Sequence, residues 1–212
     1  DDFLSVAERA RAYPKESYLQ LKNLYVGLNP HRWATWIYGL ALAAFGLFAF
    51  FNHKGYRIAG TSLLAIGLAF HTIGLVLRLV LTGHMPVSNM YESIVFTTWV
   101  TMGFGLGFEI WKRNGIFGLL AAMAGMVALM GVSLMPLHDS RIHPLRAVLN
   151  SYWLNIHVTA MLISYGALLL SAFFAGGYLV KSFLGRETLF GGKQLMPADQ
   201  MEEFAYRLVQ IA

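Results

Sequence analysis

No cysteine occurs in the 212 residues, which excludes a disulfide framework and every thiolate-ligated metal or iron–sulfur centre. Redox or metal chemistry in this chain must rest on histidine, of which there are seven, or on a bound cofactor. Charge is scarce as well: 13% of residues are charged and 57% are hydrophobic, with a mean hydropathy of +0.54. That is more apolar surface than one aqueous core can bury, so composition implies an integral membrane protein. No β pattern competes with the helical one. The expected fold is therefore all-α, a polytopic transmembrane helical bundle. The net charge of +5 and pI near 9.5 raise the question of nucleic acid. Its basic residues, however, lie in short clusters between apolar runs rather than on one face, so they read as topology signals and no nucleic-acid partner is expected.

Residues 1–32 are mixed and charged, with Tyr18, Leu21, Leu24, Tyr25 and Leu28 at helical spacing. They predict an outward-facing, interfacial amphipathic segment that ends at Gly27 and Asn29-Pro30. The segment lacks a secretory signal pattern, and its abrupt start predicts that the chain continues, or is cut from, another polypeptide. Residues 33–184 form the bundle. Five apolar runs, at about 33–52, 57–82, 92–111, 115–136 and 153–180, are each long enough to cross about 30 Å of hydrocarbon as a helix. Lys54 and Arg57, Lys112 and Arg113, and Lys181, Arg186 and Lys193 mark three connections as cytoplasmic, whereas Gly83 to Tyr91 has neither Lys nor Arg. Arg141 and Arg146 are a modest exception in the connection 137–152. Residues 185–212 are expected to form a cytoplasmic amphipathic segment leading toward a further helix that is absent. Gly60, Gly67 and Gly74, the pair Gly103 and Gly107, and Gly118, Ala122 and Gly125 predict close helix–helix approach.

The stretch Asn150 to Ala160 turns from a polar, aromatic rim into an apolar run, with His157 about one turn past Trp153 just inside it. An imidazole there is costly to hide unless it bonds something, either a metal or a carbonyl of a neighbouring helix. A second stretch, Gly83 to Glu92, stops one helix with Gly83 and Pro86. It can start the next with a capping box of Asn89 and Glu92. His71 and Arg78, seven residues apart, share one face of the second span, with His71 near the bilayer middle. Met123, Met126, Met130 and Met135 fit packing better than ligation.

Gly-His-x-Pro-x-Ser-Asn-Met-Tyr-Glu-Ser at residues 83–93, then Ser-Tyr-Trp-Leu-x-Ile-His-Val opening a later helix at 151–158, resemble the CcsA family of system II cytochrome c synthetases. Leu28-Asn29-Pro30 leading into an aromatic helix resembles the CcsA part of the fused CcsB–CcsA form. The resemblance covers about 24–212. It implies that haem crosses the membrane and is presented outside to apocytochrome c, whose Cys-x-x-Cys-His thiols add to the haem vinyls. It also implies a CcsB-type partner and a bacterial cytoplasmic membrane with the active face outward. In that family a tryptophan-rich WWD segment cradles haem between two external histidines, and His157 matches the first of these. The WWD segment and second histidine are absent from this sequence.

The resemblance implies a non-covalent, b-type haem in transit, with His157 as external axial ligand to the iron. Trp153, Arg78, Arg141 and Arg146 are further candidates around it: Arg141 and Arg146 suit its propionates or lipid headgroups, and Trp153 suits the haem edge or the interfacial aromatic belt. His71 is read as a polar-network residue, with iron ligation the alternative. Two other functions stay open: a bis-histidine membrane cytochrome for electron transfer using His71 and His157, and a haem-free transporter or structural subunit.

Overall fold

The computed structural model describes residues 16–134, 152–183 and 198–211, and every described element is helical. Helix α1 spans Glu16–Leu28 and α2 spans Pro30–Phe51. They would be one rod but for Asn29, whose backbone takes the left-handed conformation (φ 40°, ψ 61°) that Asn tolerates better than most residues. Pro30 then fits the first turn of α2, where its missing N–H costs nothing. On α1 the stripe Tyr18, Leu21, Tyr25 and Leu28 is half-buried, but Leu24 is exposed, so the expected apolar face is narrower than the sequence suggested. Residues 1–15 of the expected interfacial segment lie outside the described residues.

Helix α3, Lys54–Thr82, begins at His53, whose Nδ1 accepts from the Gly55 N–H at 3.2 Å, and ends at Gly83 with φ 72°. Helix α4, Met90–Lys112, begins at Asn89, whose Oδ1 accepts from the Glu92 N–H at 2.8 Å. Only half of the anticipated capping box forms, because the Glu92 carboxylate turns away from the Asn89 N–H toward Arg78 and Ser88. Helices α5, Ile116–Ser133, α6, Tyr152–Phe183, and α7, Ala198–Ile211, are the remaining elements among the described residues. Five helical stretches are long and apolar enough to cross a membrane: Glu16–Phe51, Lys54–Thr82, Met90–Lys112, Ile116–Ser133 and Asn155–Val180. The chain is thus an all-α, multi-pass membrane bundle.

Lipid is as apolar as leucine, so close packing rather than hydrophobic burial must hold these helices together. The repeat Gly60, Gly67, Gly74 on α3 does this by seating the rings of Phe45, Tyr38 and His31 of α2 in turn. A Cβ at those glycines would lie 3.0, 2.6 and 2.5 Å from those rings. Gly118 and Gly125 of α5 receive Phe45 and Met102 in the same way. Gly103 and Gly107 do not: a Cβ at either meets nothing within 4 Å, and it is Gly105 that presses on Ala121. The small-residue contact of α4 with α5 is therefore one step out of phase with the G-x-x-x-G pair.

The up-and-down order brings the start of α2, the end of α3, the start of α4, the end of α5 and the start of α6 to one end, called the upper end. At the lower end, Glu109 of α4 is buried and accepts from the backbone N–H of Gly115 (3.1 and 3.0 Å) and Gly118 (3.3 Å), placing an anion at the N-terminus of α5. Arg57 of α3 lies 3.6 Å from the same carboxylate. Helix α7 lies against α6 and the lower end through Met201, Phe204 and Leu208, three and four residues apart, with Phe204 centred 5.0 Å from the Phe117 ring. Glu202, Glu203 and Arg207 are on its other side.

Candidate functional site

Buried polar groups are concentrated at the upper end, where hydrocarbon would offer them nothing. Arg78, 1% exposed, donates from Nε to Glu92 Oε1 at 2.7 Å across the turn between α3 and α4. The other oxygen, Glu92 Oε2, accepts from the Ser88 N–H at 2.9 Å and from Ser88 Oγ at 2.6 Å. Arg78 Nη1 reaches the Tyr25 hydroxyl of α1 at 3.4 Å, and its guanidinium carbon sits 4.7 Å from the centre of the Tyr91 ring. One charge pair thus ties α1, α3, α4 and the 83–89 turn together. Arg78, one of the candidates named from sequence, is paired with Glu92 through Nε.

Just inside this knot lies a pair of histidines. His71 is fully buried, with Nδ1 3.2 Å from the Tyr38 hydroxyl, and its ring centre is 5.3 Å from that of His31. His31 is buried too, between Tyr25 and Tyr91. Deeper still, Trp99 Nε1 donates to Thr72 Oγ1 at 2.8 Å, and Thr101 Oγ1 donates to the Gly166 carbonyl at 3.1 Å, fastening α4 to α3 and to α6. His84, on the 83–89 turn, has Nδ1 2.9 Å from the Met85 carbonyl.

His157 is in a different setting. It lies one turn into α6 at the same end of the bundle, exposed, with no hydrogen bond or ring contact to any described residue. Trp153, four residues earlier and therefore on the same face, is 76% exposed, and Ile156 and Met161 are exposed beside it. The arrangement is an accessible imidazole on an apolar, aromatic face. Arg141 and Arg146 lie outside the described residues. The structure brings His71 and Arg78 into one cluster and leaves His157 and Trp153 on a separate surface.

Sequence reading missed His31 and Glu109. Glu109 was detectable as a carboxylate inside an apolar run, which marks a residue with a dedicated partner. His31 had no such signal, since beside Asn29-Pro30 it looked interfacial.

A bundle of this kind, with five spans, a capped Ser-Asn-Met-Tyr-Glu turn and a histidine opening the last span, defines a polytopic membrane protein. The sequence model described as "Cytochrome C assembly protein" matches residues 87–212, and the chain belongs to that family. It is 33% identical over 187 residues to protein NrfI of Wolinella succinogenes, covering 83% of this chain and 20% of that one. It is 35% identical over 158 residues to the cytochrome c biogenesis protein CcsA of Chlorella vulgaris, covering 74% and 48%. Protein HemX of Brevibacillus brevis is 33% identical over 183 residues, covering 82% and 66%. The chain thus spans a fifth of the first of these relatives and about half of the second.

Proposed function

We propose that this chain handles haem in system II cytochrome c biogenesis, presenting it at the outer face of the bacterial cytoplasmic membrane for thioether attachment to the Cys-x-x-Cys-His motif of apocytochrome c. A CcsB-type subunit or fused domain is the expected companion. The observation that carries the reading is the exposed imidazole of His157 at the upper end, without a bond to any described residue, on a chain that belongs to the cytochrome c assembly family. Haem is here the cargo, and the residues present fit it. A neutral imidazole supplies one axial nitrogen, and a ligand reached from outside can be exchanged for the substrate's own histidine. Trp153, one turn nearer the rim, offers an aromatic face beside that nitrogen. What the chain contributes is position: it holds the iron at the mouth so that vinyl groups and thiols meet in a fixed orientation.

The bis-histidine electron-transfer reading has less support. It needs His71 and His157 on one iron, yet His71 is sealed between α2 and α3 while His157 faces outward from α6.

His157→Ala in the full-length protein is expected to reduce the yield of matured cytochrome c sharply while leaving membrane insertion intact, and added imidazole is expected to restore part of it. The buried His71→Ala is expected to gain nothing from imidazole. Normal yield from His157→Ala, or equal rescue of both variants, would refute the assignment.

A further inference from the structure

Four imidazole nitrogens at the upper end are buried without a hydrogen bond: Nε2 of His84 on the 83–89 turn and, deeper and next to each other, both of His31 and Nε2 of His71. His31 is 6% exposed and His71 0%. Leaving such groups unsatisfied in an apolar interior is expensive, and native structures seldom do it. The two rings are 5.3 Å apart, centre to centre, and nearly perpendicular at 82°. The Tyr38 hydroxyl holds His71 Nδ1 at 3.2 Å, and the Val95 backbone carbonyl lies within weak hydrogen-bonding reach of the same ring. A hydrogen bond on one ring nitrogen that orients the other is the usual outer contact of a metal-binding histidine. The nearest carboxylate is not available, because both oxygens of Glu92 are held by Arg78 and Ser88.

We propose that His31 and His71 form an intramembrane two-imidazole site for a soft, monovalent transition-metal ion of the copper(I) class. Imidazole is a good ligand for copper, and a closed-shell monovalent ion accepts as few as two donors. Zinc normally takes four ligands, and the described residues contain no group of three or more His, Asp or Glu that could hold a metal ion. Charge points the same way. Both donors are neutral, and the cost of placing an ion in a low-dielectric interior rises with the square of its charge, so a dication without an anionic ligand is strongly disfavoured. A porphyrin is excluded from between the rings by packing: His31 lies so close to Gly74 that a Cβ there would fall 2.5 Å from its Cε1. The edges of Tyr25 and Tyr91, with ring centres each 6.4 Å from that of His31, wall the pair from the aqueous side.

The test is an anaerobic copper(I) titration of the purified full-length protein in nanodiscs against a chromogenic copper(I) chelator. The wild type is expected to retain about one more copper per chain than His31→Gln or His71→Gln, a comparison that cancels binding by the other histidines. X-ray absorption of the copper that the wild type retains and the variants lose should show a nitrogen-only, low-coordinate shell, and having two independent variants keeps the comparison usable if one fails to insert. Tyr38→Phe should weaken binding by about 10- to 100-fold, as loss of an outer contact does. Equal retention by the wild type and both variants would overturn the proposal. So would loss of all copper to the chelator, which would leave buried water as the occupant, or displacement by equimolar zinc(II).

Discussion

The ion pair Arg78–Glu92 allows a quantitative test of how this bundle tolerates charge in the membrane. The two side chains are 1% and 2% exposed and meet at 2.7 Å. Removing one member of such a buried pair strands the other and costs about 3–5 kcal/mol. Arg78→Leu should fall near the lower figure, because Glu92 keeps both of its bonds from Ser88, at 2.9 and 2.6 Å. Glu92→Leu should reach the higher one. It takes the carboxylate from a buried guanidinium, whose other contacts include the Tyr25 hydroxyl at 3.4 Å and the Tyr91 ring, and it also strands the Ser88 donors. The double substitution Arg78→Leu with Glu92→Leu strands no charge and should lie within about 2 kcal/mol of the wild type, far from the sum of the single effects. Reversible unfolding in mixed micelles, followed by tryptophan fluorescence, gives the four free energies of the cycle. Additivity to within about 0.5 kcal/mol would refute the reasoning, since it would mean that the two side chains do not interact.

Other outcomes follow from the same geometry. Asn89→Ala should cost about 1 kcal/mol by removing the cap on α4, with no change in the Arg78–Glu92 coupling, measured in the same unfolding assay. Gly105→Ala should destabilise by about 1–3 kcal/mol through collision with Ala121, whereas Gly103→Ala, which meets nothing, should be neutral or gain up to about 1 kcal/mol of helix propensity. A cysteine at Met85, exposed on the 83–89 turn, should react with an impermeant maleimide in intact cells; reaction only after the membrane is opened would reverse the proposed topology.

The five spans were legible because their signal is length times hydropathy, punctuated by Gly, Pro and Asn. The run expected at 57–82 ends at the observed Thr82, and that expected at 33–52 differs from Pro30–Phe51 by a turn or less. Helix contacts were legible only where a periodicity singled them out. Gly60, Gly67 and Gly74 could be recognised as one packing face, but nothing in the sequence said that α2 would fill it. The choice between Gly103 and Gly105 could not be made, because in a membrane helix the lipid-facing and protein-facing sides are equally apolar and small residues occur on both. At the candidate site, the same rule that flags an ionisable group inside an apolar run found His71 and would have found Glu109. His31 escaped it because its burial depends on Tyr25 and Tyr91, which come from two other helices.

The lower-end and upper-end charge pairs also bear on how such a chain can be made. A span threaded into lipid during synthesis must carry its polar groups unpaired until a complement arrives. Here the wait is short: Arg78 and Glu92 are separated by 14 residues, and Glu109 finds the Gly115 and Gly118 amides 6 and 9 residues later. Tyr38 precedes His71, and Arg57 precedes Glu109, so each of those groups enters beside a complement already in place. Among the described residues, the late contacts of Thr101 with Gly166 and Ser171 with Ala205 are made by hydroxyls, which bond to their own helix, as Thr101 does, or wait at little cost. Among the described residues the order along the chain is thus an insertion schedule, in which the full charges of these pairs meet their complements within one or two spans.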